Sequence, residues 1–103
     1  RLGSETRKRL RILDFGCGTG LSSHALSEVL GAGAVVEGVD VSPASVQAAR
    51  ARYGGDRVHF TVGETTRLPF DDASFDVVFT ACVFHHIDRG QHGLWARELA
   101  RVT

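Results

Sequence analysis

The stretch Ile12-Leu13-Asp14-Phe15-Gly16-Cys17-Gly18-Thr19-Gly20 decides how this chain of 103 residues folds. A short apolar run ends in three alternating glycines, and a helix-period pattern of apolar residues begins at Leu21. These patterns predict a strand, a tight turn and a helix, in which the turn brings backbone N–H groups and a helix N-terminus against a ligand. The dinucleotide-binding fingerprint G-x-G-x-x-G differs, because here the third glycine comes one residue early and Leu21 fills the next position.

Acidic residues follow the first three predicted strands. Asp14 lies just before the glycine turn, Asp40 ends the run at residues 34–39, and Glu64 follows the run at residues 58–62. The carboxyl ends of parallel strands share the edge of the sheet where ligands bind. A pocket with three carboxylates repels a pyrophosphate. It accepts a sulfonium, an ammonium, an adenine amino group and a ribose diol, whose two hydroxyls Asp40 is placed to bind. The ligand with all four groups is S-adenosylmethionine.

Four motifs occur in an order and spacing that resemble one enzyme family. They are Asp14-x-Gly16-x-Gly18-x-Gly20, Gly38-Val39-Asp40-Val41-Ser42, Leu68-Pro69-Phe70 and Phe75-Asp76-Val77-Val78. On these motifs, residues 11–102 resemble a class I S-adenosylmethionine-dependent methyltransferase, and most of all the small-molecule group typified by the quinone-biosynthesis enzymes. The resemblance implies transfer of a methyl group from S-adenosylmethionine to an O, N, C or S atom of a small-molecule acceptor, whose identity the sequence does not reveal.

The resemblance also implies which residues bind the cofactor. They are Asp14, Gly16, Cys17, Gly18, Gly20, Asp40, Val41, Glu64 and Thr65. The glycine turn would hold the methionine end and Asp40 the ribose. Glu64 and the Thr65 backbone N–H would bind the adenine, and Val41 would cover its face or simply pack. The family more often carries Asp where Glu64 stands. Asp14 either binds the methionine ammonium, directly or through water, or holds the backbone amides of the glycine turn.

Two histidines follow the fourth predicted strand, beside the place where the methyl group should emerge. His85 and His86 are the candidates for a catalytic base, because histidine titrates near neutrality. Methyl transfer from a sulfonium already has a good leaving group, so in-line positioning alone serves many such enzymes. On that alternative, the two histidines line the acceptor pocket or contact the start of the last helix. The histidines at positions 24, 59 and 92 lack metal-ligand spacing, and no metal is expected.

Two other functions share part of this pattern. A nicotinamide-dependent oxidoreductase would also have the strand, the glycine turn and Asp40, but it should carry glycine at position 21 and no acid at position 14. A non-catalytic S-adenosylmethionine-binding or protein-interaction module of methyltransferase ancestry would keep every binding motif. Only the part of the protein that binds the acceptor would distinguish that module from an enzyme.

Alternation of strand and helix patterns predicts an α/β fold, a Rossmann-like parallel sheet with flanking helices. Strands are predicted over residues 11–15, 34–39, 57–62 and 75–82, and the resemblance implies the order 3-2-1-4. Helices are predicted over residues 21–30, 43–53 and 91–102, the second with Ser42 as N-cap and Pro43 at its first position. The residues predicted to face inward are Leu21, Ala25, Leu26, Val29 and Leu30, then Val46, Ala49 and Tyr53, then Leu94, Trp95, Leu99 and Val102.

The predicted organisation is a lead-in segment, residues 1–10, followed by the S-adenosylmethionine-binding part of a methyltransferase domain, residues 11–103. The resemblance implies that the C-terminal strands of the fold are absent, and the lack of methionine, including at position 1, indicates a fragment. The fourth strand would then leave an apolar edge at residues 77–83, which could pair with another chain.

Composition argues against several other classes of protein. The formal net charge is zero, with 43% hydrophobic and 23% charged residues, so no field is expected that would attract nucleic acid. No apolar run is long enough to span a membrane. Cys17 and Cys82 are too few for a disulfide scaffold. Because the composition favours the cytoplasm, no disulfide between them is expected.

Overall fold

The computed structural model describes residues 9–63, 67–80, 90 and 92–103. Strands and helices alternate along this part of the chain. They are β1 (Leu10–Phe15), α1 (Leu21–Leu30), β2 (Ala34–Asp40), α2 (Pro43–Tyr53), β3 (Val58–Val62), β4 (Val77–Thr80) and α3 (His92–Val102). A short 3-10 turn at Gly31–Gly33 links α1 to β2.

The strands form one parallel sheet in the order β3-β2-β1-β4. Asp14 of β1 pairs with Gly38 of β2, which in turn pairs with Phe60 of β3. Because every strand points the same way, all carboxyl ends lie at one edge of the sheet. The predicted α/β class, parallel sheet and strand order are therefore confirmed.

The element bounds differ from the prediction mainly at β4, which begins at Val77 rather than at residue 75. The Phe75 N–H donates to the Val102 carbonyl (2.8 Å), so Phe75 is bound to the end of α3 and not to the sheet. Residues 81 and 82 of the predicted strand, and residue 91 of the predicted last helix, lie outside the described residues. The other strand bounds agree with the prediction to within one residue.

The helix α2 follows the prediction. The Ser42 hydroxyl accepts a hydrogen bond from the Ser45 N–H (3.2 Å), and Pro43 occupies the first turn, where its missing N–H costs nothing. Val46 and Ala49 are fully buried against β3, and Tyr53 packs partly buried beside them. This helix fixes the path of the chain from the end of β2 back to β3.

The predicted inward face of α1 is wrong. Its buried residues are Ser23 and Ser27, whereas Leu21 and Val29 are 66% and 83% exposed. Ala25 and Leu30 are also exposed, and Leu26 is only partly buried. The cause lies in β2, because a Cβ atom at Gly38 would stand 2.7 Å from the Ser23 hydroxyl. The glycine lets α1 approach the sheet so closely that small residues face the strand, and the branched side chains turn outward.

The other face of the sheet is covered by α3. Trp95, Leu99 and Val102 are buried as predicted, and the Trp95 ring lies 4.8 Å from the Phe15 ring. Leu94 is 46% exposed, contrary to the prediction, while Glu98 is only 6% exposed. The buried stripe therefore runs through positions 95, 98, 99 and 102, which puts a carboxylate in the core. None of the described helices has the length and hydropathy required to cross a membrane.

Candidate functional site

The glycine turn joins β1 to α1 at the carboxyl edge of the sheet. Gly16, Gly18 and Gly20 have φ angles of 84°, 57° and 99°, in the left-handed region that favours glycine. The N–H groups of Gly16 and Cys17 both donate to the Val39 carbonyl, at 2.7 and 3.0 Å. The turn is thus bound to the end of β2 by its own backbone.

Two of the glycines face different surroundings. A Cβ atom at Gly20 would lie 3.0 Å from the side chains of Ala49, Tyr53 and Phe60. The turn can therefore pack against these side chains only when position 20 carries no side chain of its own. A Cβ atom at Gly18 would meet nothing within 4 Å. The turn therefore borders open space at Gly18, where a ligand can approach the backbone.

Asp40 lies beside that open space, at the end of β2. Its Oδ2 atom accepts the Gly18 N–H (2.8 Å) and its Oδ1 atom accepts the Ser42 N–H (3.0 Å). A carboxylate oxygen offers two acceptor sites, so one site on each oxygen is left for the two hydroxyls of a ribose. The structure thus brings together Asp40 and the glycine turn, which lie 22 residues apart in the sequence.

Asp14 lies beneath the turn and is only 1% exposed. Its Oδ2 atom accepts hydrogen bonds from the hydroxyls of Ser22 (2.6 Å) and Ser23 (2.7 Å) in the first turn of α1. The alternative that Asp14 holds the amides of the glycine turn is wrong, because those of Gly16 and Cys17 donate to Val39 and that of Gly18 to Asp40. A charge at this depth stabilises only when hydrogen-bonded, and the two serines supply those bonds.

Cys17 is buried and forms no disulfide. Burial, assisted by the negative charges of Asp14 and Asp40, raises the pKa of its thiol from 9.0 to about 12. The thiol therefore stays protonated near neutrality, and its role is to pack in the core cluster with Val46, Ala49 and Phe60. Cys82, the other cysteine of the chain, lies outside the described residues.

The adenine side of the predicted pocket is described in part. Val41 is 52% exposed next to Asp40, so it does not pack in the core and its face is free to meet a ligand. The Gly63 N–H donates to the Asp40 carbonyl (2.9 Å), which brings the end of β3 beside Asp40. The predicted ligands Glu64 and Thr65, and the predicted acceptor-side histidines His85 and His86, lie outside the described residues.

Two residues that bind Asp14, Ser22 and Ser23, and one buried carboxylate of the core, Glu98, were missed from the sequence. Ser22 and Ser23 hold Asp14, and no local pattern distinguishes them from ordinary residues of a helix start. Glu98 carries a recognisable signal, because a carboxylate at an inward position of an amphipathic helix needs a buried partner, and Arg101 lies one turn further on. In the part of the chain that the structure describes, no group of His, Cys, Asp and Glu is arranged to hold a metal ion.

The chemistry of the described residues fits S-adenosylmethionine. Asp40 has the free acceptor sites that a ribose diol needs, and Asp14 and Asp40 give the edge a negative charge that suits a cationic ligand. The open space at Gly18 allows the ligand to reach the backbone of the turn.

Comparison with known proteins agrees with this geometry. Residues 12–103 match the family model described as "Methyltransferase domain". The chain is 42% identical over 93 residues to a demethylmenaquinone methyltransferase of Clavibacter sepedonicus, covering 89% of this chain and 36% of that protein. It is 39% identical over 98 residues to a ubiquinone biosynthesis O-methyltransferase of Azorhizobium caulinodans, covering 93% of this chain and 37% of that protein.

A solved structure supports the same relationship. The crystal structure of a SAM-dependent methyltransferase from Aquifex aeolicus superposes with a TM-score of 0.79 at 27% identity, covering 99% of this chain and 55% of that one. The chain spans little more than a third of the length of the two curated relatives, the demethylmenaquinone and ubiquinone methyltransferases. Because the family model covers nearly the whole chain and the fold agrees, this protein belongs to the methyltransferase domain family.

Proposed function

We propose that this chain binds S-adenosylmethionine and forms the cofactor-binding part of an enzyme that methylates a small molecule. The observation that carries the proposal is the hydrogen bond between Asp40 and the Gly18 N–H, beside open space. A carboxylate with free acceptor sites next to an accessible glycine backbone suits a ribose joined to a cationic amino acid. A pyrophosphate in the same place would be repelled by Asp40 and Asp14.

Each part of the site has its own role in this proposal. The turn from Gly16 to Gly20, with Cys17 packed beneath it, holds the methionine end, and Asp40 accepts the ribose hydroxyls. Val41 covers one face of the adenine, while Glu64 and the Thr65 backbone N–H bind its edge. Asp14 acts on the ammonium through its charge and by orienting the Ser22 hydroxyl, because its own side chain is almost fully buried.

The chain contributes positioning more than bond-making chemistry. When bound, S-adenosylmethionine supplies an electrophilic methyl group on a positively charged sulfur. The glycine turn would hold the methionine part and Asp40 the ribose, on either side of the sulfonium, which would orient the methyl group toward the acceptor and lower the entropic part of the barrier. His85 or His86 removes a proton from the acceptor nucleophile, or else lines the acceptor pocket when the nucleophile needs no base.

The cofactor proposal is tested by isothermal titration calorimetry of the purified protein with S-adenosylmethionine, S-adenosylhomocysteine and NAD⁺. We expect saturable binding of the first two and none of NAD⁺. Binding of NAD⁺ alone would refute the proposal in favour of an oxidoreductase.

The enzyme proposal is tested separately by transfer of a radiolabelled methyl group to small molecules. The names of the relatives suggest phenols and hydroquinones of the demethylmenaquinone and ubiquinone type as the first acceptors to try. Cofactor binding without methyl transfer by the complete protein to any acceptor would favour the non-catalytic module.

We further propose that residues 11–103 are one part of a larger methyltransferase domain, preceded by a lead-in at residues 1–10.

We also propose that the isolated chain self-associates along residues 77–83. This self-association is supported by the edge position of β4 among the described strands, where it pairs with β1 on one side, and by Val77 and Phe79, which are 47% and 40% exposed. An apolar edge strand is a template for pairing. Analytical ultracentrifugation should show association that Phe79→Lys reduces, and a concentrated wild-type monomer would contradict the idea.

A cytoplasmic location belongs to the same proposal. Two cysteines are too few for the disulfide framework that is typical of small secreted domains, which supports a reducing compartment. Cell fractionation with an antibody to the chain tests it, and recovery in a secreted or membrane fraction would contradict it.

A further inference from the structure

The loop that follows β3 is tied to α3 by a buried ion pair. Glu98 is 6% exposed, and its Oε2 and Oε1 atoms accept hydrogen bonds from two nitrogens of the Arg101 guanidinium, at 2.6 and 2.9 Å. The Asp72 carboxylate, whose side chain is 77% exposed, accepts a further hydrogen bond from Arg101 at 2.6 Å. A buried charge with this many partners is held in one position.

The same pair binds both backbone groups of Leu68. The Leu68 N–H donates to Glu98 (2.5 Å), and the Leu68 carbonyl accepts from Arg101 (3.1 Å). Two further backbone bonds fix the rest of the loop, from the Ala73 N–H to the Arg101 carbonyl and from the Phe75 N–H to the Val102 carbonyl, both at 2.8 Å. The pair thus sets where the Leu68 side chain enters the core.

Leu68 packs against the strand ends that form the cofactor site. It is 1% exposed and belongs to the same core cluster as Val39. A Cβ atom at Gly63 would lie 2.7 Å from Val39 and 3.1 Å from Leu68, so the end of β3 lies in close contact with both side chains. The carbonyl of Val39 accepts the N–H groups of the glycine turn, and Asp40 follows it directly. Contacts therefore lead without a gap from Glu98 to the site.

We infer that Glu98 and Arg101 are positioning residues for the cofactor site, because they hold Leu68 and through it the ends of β2 and β3 on the adenine side. This inference rests on the proposed function. Neither residue touches the ligand in this scheme. They fix the strand ends between which the adenine is bound, and loosening those ends weakens adenine recognition even while the chain stays folded.

The experiment compares ligand affinities of folded variants by calorimetry, well below their melting temperatures. The probes are S-adenosylhomocysteine and its hypoxanthine analogue, in which an oxygen replaces the adenine amino group. In Glu98→Ala we expect affinity for S-adenosylhomocysteine to fall about fivefold or more, and the preference for adenine over hypoxanthine to fall with it. Glu98→Gln retains an acceptor for the Leu68 N–H and should give an intermediate loss. Arg101→Lys keeps the positive charge but loses the two-nitrogen contact of the guanidinium with Glu98. It replaces Glu98→Ala as the test variant if Glu98→Ala does not fold.

Two matched variants separate positioning from general destabilisation. Val36→Ala opens a cavity near the opposite end of β2, in a different core cluster, and should lower the melting temperature while affinity stays within about twofold of the wild type. Asp72→Asn removes only the charge of the exposed partner of Arg101 and should also leave affinity unchanged. Base preference is the decisive readout, because a merely structural role would not change it.

The outcomes are distinct. Folded Glu98 variants with wild-type affinity and wild-type base preference would overturn the inference while leaving the proposed function intact. A wild-type protein that does not bind S-adenosylhomocysteine would refute the proposed function and, with it, this inference. Equal losses of affinity in Val36→Ala and Glu98→Gln, at the same loss of stability, would likewise overturn the positioning role.

Discussion

Removal of the Asp40 carboxylate is expected to weaken cofactor binding at least tenfold. Asp40→Ala deletes the acceptor of two backbone N–H groups, those of Gly18 and Ser42, and of the two ribose hydroxyls assigned to it. A hydrogen bond to a charged group contributes about 1.5–3 kcal/mol. Water that enters the vacated space satisfies part of what is lost, so the expected reduction is about 1.4 kcal/mol or more, which is about tenfold in Kd.

The same substitution also lowers stability. Both N–H donors are only partly buried and can bind water instead, so the expected loss in free energy of unfolding is about 1–2 kcal/mol. Asp40→Asn keeps one acceptor oxygen without the charge and should lie between the wild type and Asp40→Ala in affinity. A useful control is Asp56→Ala, which removes an exposed carboxylate between α2 and β3 and should alter neither quantity.

The assay is calorimetric titration with S-adenosylhomocysteine, paired with a thermal melt of each variant. The reasoning is refuted if Asp40→Ala remains folded and binds with wild-type affinity, because the carboxylate would then not contact the ribose. A loss of affinity in Asp56→Ala equal to that in Asp40→Ala would also refute it. Such a result would mean that net charge, and not position, governs binding.

Three further predictions concern other parts of the chain. His85→Ala and His86→Ala should reduce turnover or acceptor affinity far more than S-adenosylhomocysteine affinity, and steady-state kinetics together with calorimetry would expose a cofactor role instead. Because the folded-state pKa of Cys17 is raised from 9.0 to about 12, the stability linked to its protonated thiol is present below pH 9 and lost as pH rises toward 12. In a Cys82→Ser background, iodoacetamide should therefore label Cys17 at neutral pH much more slowly than the unfolded chain, and equal rates would contradict its burial. Hydrogen bonds from Arg101, aided by the Leu68 N–H and opposed by burial, lower the pKa of Glu98 below its ordinary 4.5. The ion pair should thus stabilise the fold above about pH 4.5 and lose its effect as pH falls through the folded-state pKa. Urea unfolding across this range should show a drop that Glu98→Gln lacks, and parallel curves for the two proteins would be evidence against it.

Most of the structural features that the sequence predicted correctly depend on residues close together in the chain. The glycines of the turn adopt positive φ angles, Ser42 and Pro43 start α2, and apolar runs become strands, because each of these features depends on a residue and its near neighbours. The position of Asp40 beside the glycine turn could be predicted for a related reason. Parallel strands bring their carboxyl ends to one edge, so a carboxylate that ends the second strand must lie near the turn that ends the first.

The features that could not be predicted depend on distances between segments far apart in the chain. The inner face of α1 is set by Gly38, which lets the helix approach until only Ser23 and Ser27 fit, and helix periodicity alone cannot report how close a neighbour comes. Glu98 is buried because it meets the Leu68 N–H 30 residues away, a contact that no local pattern contains. Hydrophobic pattern and turn chemistry thus specify the elements and the sheet edge that carries the candidate site, whereas packing distances determine which polar groups are buried around it.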